Sequence, residues 1–205
     1  MNLKRLHHYS GLLLTAFIGL HLLNHASSIA GAETHIRIMN NLRLIYRNLL
    51  VESLLMLTIG VQLFSGLRLL TNKRRSVKTT FERIHVWSGI YLAFFLLIHV
   101  GAVMGGRFLF ELDTNIYFGA IGLNTFPFNL FFIPYYALAI LAFFGHVAAI
   151  HADKMEQDIL GIPPLTQAKM ILGLGVIFLV LIFYGLTDGF SGLTIPEAYD
   201  VMVGK

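Results

Sequence analysis

The sequence predicts an all-α membrane protein whose five transmembrane helices form a single bundle over residues 1–205. Of the 205 residues, 56% are hydrophobic and 13% are charged, and the mean hydropathy of +0.72 lies outside the range of ordinary soluble domains. Five apolar stretches are each close to the ~20 residues that a helix needs to cross a bilayer. Helices are expected because the backbone must satisfy its own hydrogen bonds in hydrocarbon. The stretches cover about residues 10–30, 49–71, 85–105, 132–152 and 168–187.

The distribution of charge predicts the orientation of the bundle. Ten of the 15 Lys and Arg residues fall on the side that carries the N-terminus, so the N-terminus is expected to be cytoplasmic and the C-terminus outside. The basic run within residues 71–83 is expected to be a topology anchor, with a docking surface for a partner as the alternative. The sequence pI near 9.4 therefore reflects topology signals, and no nucleic-acid partner is predicted. The chain has no cysteine, which excludes disulfides and cysteine-ligated iron–sulfur clusters within it.

One motif occurs twice, on the first and third apolar stretches. Residues 7–21 and residues 85–99 share the pattern His-x2-Ser-Gly-x9-His at identical spacing. In a five-helix topology the first and third helices run in the same direction. The final histidines of the two copies, His21 and His99, then lie at one depth, ~15 Å along the axis from the motif glycine. The repeat predicts that these two side chains hold one ligand between them.

Ionisable side chains inside a membrane usually face the bundle interior and mark functional sites. Here they are His21, His25, His99 and His146, with Gln62 as a polar, uncharged fifth. A neutral imidazole is a good axial ligand for haem iron, and two of them on facing helices form a six-coordinate electron-transfer centre. We therefore predict that His21 and His99 are the axial ligands of one haem.

Other roles stay open for these histidines. A buried histidine also forms interhelical hydrogen bonds in membrane proteins. His25 follows His21 by one turn, so it is expected to contact a haem propionate or a neighbouring polar group, and it is the natural substitute ligand. Two histidines at this spacing also bind zinc, although no carboxylate lies near them on that helix. The histidines at the predicted cytoplasmic boundary are expected to face headgroups and water; they are His7, His8, His85 and His151. The repeat gives His7 and His85 additional weight as functional residues.

The connecting segments carry weaker patterns. Residues 35–50 place three arginines among apolar residues, which predicts an amphipathic helix on the outer surface. Residues 106–131 are expected to be an aromatic, glycine-rich loop, and Pro134 is expected in the first turn of the fourth helix. The C-terminal residues 191–205 are predicted to be either a strap on the outer face or a disordered end.

Taken together, these residues resemble the five-helix cytochrome b membrane subunit of di-haem, quinone-reactive succinate dehydrogenases and fumarate reductases. The resemblance covers nearly the whole chain. Its two Ser-Gly-x9-His segments are similar to those that ligate the family's outer haem, which implies His21 and His99 as ligands. The fourth helix is similar to an inner-haem ligand segment, which implies His146. The second helix resembles the partner segment, with Arg68 in its expected place.

The chain departs from the family's pattern at Gln62, where the resemblance implies a histidine. An amide is a poor haem ligand. The inner haem is then absent, or is held by His146 with a vacant or unusual sixth position, or recruits His151 or His85. The expectation is one haem b, with a second as the open alternative.

The resemblance also implies a function. The bundle would pass electrons between a membrane quinone and an iron–sulfur subunit, with a flavoprotein subunit as a further partner, in a bacterial inner membrane. The chain would then be the membrane subunit of such a complex and not its catalytic head. Glu52 is the acidic residue best placed to accept a quinol proton near the outer haem. The alternative for Glu52 is an acid that the dipole of its helix favours at the N-terminus.

A second function stays open because of Gln62. The same bundle would serve as a haem-poor membrane anchor or assembly subunit. A transporter with a central histidine site is disfavoured, because no pair of helices is interrupted by Gly and Pro at the midplane.

Overall fold

The computed structural model of the chain describes residues 2–73 and 79–205. Within these residues the structure is helical, with no strand and one isolated bridge between Ile159 and Ile162. The predicted all-α fold is confirmed, and five of the described helices are long and apolar enough to cross a membrane. The described residues form seven α-helices, which are α1 (Leu3–Ala26), α2 (Ala32–Tyr46), α3 (Leu49–Lys73), α4 (Thr80–Phe108), α5 (Ile116–Asn124), α6 (Asn129–Lys154) and α7 (Pro164–Leu186). Short 3-10 helices follow α1 at Ser27–Ala30 and α7 at Glu197–Val203.

The spanning helices extend beyond the apolar stretches because polar residues cap them. The side chain of Asn2 accepts a hydrogen bond from the Lys4 N–H at the start of α1. At the start of α4, Thr79 and Glu82 form a capping box in which each side chain accepts from the other residue's backbone N–H. Part of the basic run, residues 74–78, lies outside the described residues.

The connecting segments are more ordered than the sequence predicts. The amphipathic segment is helix α2, as expected. The expectation of a loop over residues 106–131 is wrong in its centre, because the apolar residues of α5 bury themselves in the core. Pro134 lies at the sixth position of α6 and not in its first turn, because α6 already begins at Asn129. Of the two alternatives for the C-terminal residues, the strap is correct, since Tyr199 packs on α5 and its hydroxyl donates to the Asp113 carbonyl at 2.9 Å.

The bundle consists of two antiparallel hairpins and one additional helix. Helix α1 packs on α3, α4 packs on α6, and α7 packs on α6 and α1. The start of α3 meets the end of α4 through an ion pair between Glu52 and Arg107. Therefore α1 and α4 run in the same direction, as the repeat requires. We call the end where α1 begins the N-terminal end and the opposite end the C-terminal end; which of them faces the cytoplasm stays a prediction.

The main apolar core lies beside the hairpins, where α5, α6 and α7 meet α1. Leu22, Phe144 and Ile182 belong to it. Close approach between α7 and the 3-10 helix after α1 depends on Gly185, because a Cβ at that position would lie 2.7 Å from the backbone nitrogen of Ile29. This packing fixes the end of α1 that carries His21 and His25.

Candidate functional site

In each hairpin the two helices contact each other at the Ser-Gly pair of the repeated motif. In the first hairpin, the Ser10 hydroxyl donates to Gln62 Oε1 at 2.5 Å, and a Cβ on Gly11 would lie 3.3 Å from Gln62 Nε2. In the second hairpin, Ser88 Oγ lies 3.1 Å from His146 Nδ1. A Cβ on the glycine that follows Ser88 would lie 3.2 Å from His146 Cε1. Gln62 and His146 therefore occupy equivalent positions in the two hairpins, and the motif glycines make room for them.

The polar side chains around Gln62 form a closed network. His7 Nδ1 lies 2.9 Å from Ser65 Oγ, and His7 Nε2 lies 3.3 Å from Gln62 Nε2. Ser65 is fully buried and also donates to the Val61 carbonyl at 2.6 Å. The expectation that His7 faces only headgroups and water is wrong, because its ring packs between α1 and α3. Every polar group of this cluster has a partner within the hairpin.

The second hairpin holds His146 in a similar way. The rings of His85 and His146 meet edge to face, with centroids 4.6 Å apart. Two imidazoles that bind opposite sides of one metal ion through ~2.0 Å bonds have centroids roughly 6 Å apart. The contact of His85 with His146 is therefore too short for such a pair. His151, the other residue considered for recruitment, is bonded to Gln167 at 2.8 Å.

Among the described residues, the side chain of Arg68 forms no hydrogen bond or ion pair with these clusters. Its side chain is exposed on α3, and its guanidinium carbon lies 5.5 Å from the centroid of the Phe64 ring. A role for Arg68 near a cofactor stays a prediction from the resemblance.

The structure brings His21 and His99 together in the C-terminal half of the bundle. Their ring centroids are 6.1 Å apart with the ring planes at 66°. This separation matches the value of roughly 6 Å for two imidazoles that share one metal ion. Phe17 is stacked on His21 and Phe95 on His99, with interplanar angles of 15° and 14°. Aromatic stacking of this kind limits the rotation of each imidazole.

Glycines leave the helix surfaces beside the two rings open. His21 belongs to the first hairpin and His99 to the second, and the contacts between the two hairpins are few. Gly19 and Gly101 lie two residues from these histidines, and a Cβ on either glycine would meet no atom within 4 Å outside its own helix. Two partly buried imidazole rings from different hairpins, with open glycine surfaces beside them, fit a haem that has two imidazole ligands.

A zinc site of the usual kind does not fit these residues. In the part of the chain that the structure describes, no group of three or more His, Cys, Asp or Glu side chains is arranged to hold a metal ion. A structural zinc ion needs four protein ligands and a catalytic one needs three. A haem needs only two, because the porphyrin supplies the other four.

Asn24 and His35, neither of which was predicted as a site residue, complete the cluster around His21. His25 Nε2 lies 3.2 Å from His21 Nε2, and the His25 ring also contacts His35 on α2, with centroids 5.1 Å apart. His35 Nε2 in turn lies 3.2 Å from Asn24 Nδ2. Burial, followed by the electrostatic effects of His21 and Arg43, lowers the pKa of His35 to about 4. The sequence could have indicated Asn24, because it is a polar residue inside an apolar span. No feature of the residues around His35 predicted that it is buried.

A cavity of about 220 Å³ adjoins the cluster between α1, α2 and α3. Its lining is mostly apolar, with His21, Asn24 and Tyr46 as polar members. Burial raises the pKa of Tyr46, so its hydroxyl is a hydrogen-bond donor at neutral pH. The volume is below the ~300–1,000 Å³ of pockets for drug-sized ligands and suits a ring-sized head group.

Charged residues surround the C-terminal end near this cavity. Glu52 forms an ion pair with Arg107, and Arg43 forms one with Asp113 at 2.8 Å. The carboxylate of Glu52 is therefore engaged by a guanidinium. A role of Glu52 in accepting a proton stays a prediction.

No protein-family model, no curated protein and no solved structure matches this chain. The assignment of a function therefore rests on the residues and their geometry.

Proposed function

We propose that this chain is a haem b-containing membrane subunit, which passes electrons between a peripheral iron–sulfur partner and a membrane quinone. The observation that carries the proposal is the pairing of His21 with His99 across two hairpins at 6.1 Å. The repeated Ser-Gly-x9-His motif places these residues at equivalent positions on two parallel helices. Haem, when bound, supplies one-electron redox chemistry, and the protein controls it through the ligands and their burial.

The chain's own residues have separate tasks in this proposal. His21 and His99 would hold the haem, while Phe17 and Phe95 restrict the two imidazole rings. The five apolar helices keep water away from the site and anchor the subunit in the lipid. The apolar cavity beside His21 would receive the quinone head group, with Tyr46 and Asn24 as hydrogen-bonding groups.

The proposal favours one haem over two. Gln62 is bonded to Ser10 and lies 3.3 Å from His7, and His146 lies within hydrogen-bond distance of Ser88. Both side chains are thus engaged inside their own hairpins at the N-terminal end. A second haem would have to displace these contacts.

The partners and the location belong to the same proposal through the resemblance to succinate dehydrogenases and fumarate reductases. They are an iron–sulfur subunit, a flavoprotein subunit and a quinone, in a bacterial inner membrane.

The closed network around Gln62 favours the second candidate, a haem-poor membrane anchor, because a hydrogen-bonded amide stands where the resemblance implies a haem ligand.

A pyridine haemochrome assay with a reduced-minus-oxidised spectrum, on the detergent-purified chain made with ample haem, tests the proposal. We expect about one low-spin haem b per chain. His21→Leu and His99→Leu should each abolish the low-spin spectrum, whereas His8→Leu, at an exposed position of the same helix as His21, should not.

Three results would change the proposal. An unaltered spectrum in both ligand variants would overturn the assignment of His21 and His99. About two haems per chain, with one lost in His146→Leu, would mean that the N-terminal end also binds haem. A value near zero in the wild-type chain would favour the anchor.

A further inference from the structure

His35 is the most buried polar residue that α2 contributes to the bundle. Its side chain is 1% exposed, although α2 lies at the surface and presents Leu44 and Ile45 outward. His35 Nε2 lies within hydrogen-bond distance of Asn24 Nδ2, at 3.2 Å. Through this contact, the buried His35 holds α2 against the part of α1 that lies between His21 and His25.

The ring of His25 lies between two other histidine rings. It meets His21 edge to face at a centroid distance of 4.5 Å, and it meets His35 at 5.1 Å with the planes tilted by 40°. The two Nε2 atoms of His21 and His25 are 3.2 Å apart. A His21 ring that donates its Nε2–H to His25 keeps the lone pair of Nδ1 free for a haem iron. The orientation of the His21 ring is therefore linked to His35 through a single intervening side chain.

Several polar atoms of the residues that link His21 to His35 have no hydrogen-bond partner among the described protein groups. Asn24 Oδ1, His25 Nδ1 and His35 Nδ1 are all buried without a protein partner in the described structure. An unsatisfied buried group costs about 1–3 kcal/mol, and such groups are usually bridged by ordered water. Because burial keeps His35 neutral, one of its ring nitrogens donates and the other accepts. A connected set of neutral hydrogen-bonding groups is well suited to define ring orientation and tautomer.

We propose that His35 is a positioning residue for the candidate haem ligand His21, and that it acts through the ring of His25 while Asn24 holds the His35 ring in place. Groups that contact a metal-ligating histidine set the orientation and basicity of its ring, and their loss typically weakens metal binding 10–100-fold. The inference rests on the proposed function. It gives the surface helix α2 an indirect influence, through His25, on the ligand that would hold the haem.

The test uses the haem-loaded full chain and compares three variants with the wild type. His35→Phe keeps a ring of similar shape but removes both nitrogens. His35→Gln keeps a group that can bond to Asn24. His151→Phe is the matched control, because His151 also bonds one side chain, Gln167, but does so at the N-terminal end of the bundle.

The readouts are the EPR spectrum of the oxidised haem, which reports ligand-ring orientation, its midpoint potential and the haem dissociation constant. His35→Phe should shift the largest g-value and the potential and weaken haem binding about 10-fold or more. His35→Gln should restore most of the wild-type signal. His151→Phe should leave all three quantities unchanged even if it lowers thermal stability.

The outcomes separate this inference from the proposed function. A wild-type chain that binds no haem contradicts both. A haem-loaded wild type together with a wild-type spectrum and affinity in His35→Phe overturns only the positioning role. If His35→Phe does not accumulate, Asn24→Leu replaces it in the test, because it removes the amide that His35 contacts. Asn24→Leu should also shift the EPR spectrum and the midpoint potential. An unshifted spectrum in that variant would also overturn the inference.

Discussion

Gln62 on α3 holds the place in the first hairpin that His146 on α6 holds in the second. Each side chain lies against a motif glycine and within hydrogen-bond distance of the preceding serine, Ser10 or Ser88. The spacing is nearly the same in both cases, with closest approaches to the glycine Cβ position of 3.3 and 3.2 Å. The internal repeat visible in α1 and α4 therefore extends to the helices that pack against them.

This equivalence predicts the effect of two substitutions at Gln62. Gln62→Leu should lower the free energy of unfolding by about 1–3 kcal/mol, because Ser10 and His7 lose a buried partner. Gln62→His should cost less than Gln62→Leu, because a histidine is already accommodated at the equivalent place by Ser88. Thermal unfolding in detergent measures both. Equal stability of Gln62→Leu and the wild type would show that the network contributes nothing.

The contact between α7 and α1 predicts a large effect at Gly185. A Cβ there would overlap the side chain of Ser28 and lie 2.7 Å from the backbone of Ile29. Gly185→Ala should therefore destabilise the protein by roughly 1–3 kcal/mol through overpacking. Gly173→Ala, on the same helix, is the control: its Cβ meets no atom within 4 Å, and alanine should be neutral or stabilising by up to ~1 kcal/mol. Similar melting temperatures for the two variants would contradict this packing.

The ion pair between Glu52 and Arg107 links the start of α3 to the end of α4. The two side chains are 23% and 19% exposed, so water screens them less than an ordinary surface pair. We expect Arg107→Gln to cost about 1–3 kcal/mol and the double variant with Glu52→Gln to cost clearly less than the sum. Unfolding of the four proteins of this cycle measures the coupling. Asp153→Asn is the control, because its pair with Lys154 is largely exposed and should change stability by less than ~0.5 kcal/mol.

The burial of His35 predicts that acid destabilises the protein. At pH 7 His35 is neutral in both the folded and the unfolded chain and makes no such contribution. Below about pH 6.5 the unfolded chain takes up a proton that folded His35 accepts only near its pKa of about 4. Stability should therefore fall as pH drops from 6.5 to 4, by up to ~3 kcal/mol from this group.

Melting curves at pH 7, 5.5 and 4.5 test this pH dependence. His35→Phe should show a smaller loss of stability on acidification than the wild type. His8→Phe, at an exposed position, should keep the wild-type profile. Identical profiles for His35→Phe and the wild type would mean that His35 is not held neutral by burial.

Several features of the site were predictable because they depend on helical spacing. The nine residues between Gly11 and His21, repeated between Gly89 and His99, place both histidines at one depth once α1 and α4 run in the same direction. Their ring separation of 6.1 Å agrees with that expectation. The ligand role itself stays a prediction, because spacing determines where a side chain lies but not what it binds.

Other features were not predictable because they depend on contacts between distant segments. The resemblance implies Gln62 and His146 as a mismatched pair around an inner haem, whereas the structure engages each within its own hairpin. His35 belongs to a surface helix by its local pattern, and its burial follows from the way α2 folds back onto α1. Likewise, α5 is too short to be recognised from its own residues.

The sequence alone determined the class of this protein. Five long apolar stretches favour helices that cross a membrane, and the repeated histidine motif predicts that two of those helices place a histidine at one depth, since both conclusions follow from periodicity and backbone hydrogen bonding. Only the tertiary structure decided which polar groups meet: Gln62 with Ser10, His146 with Ser88, and His35 with Asn24. Such pairings are set by close packing of helices that are far apart in sequence, and helical periodicity carries no information about them.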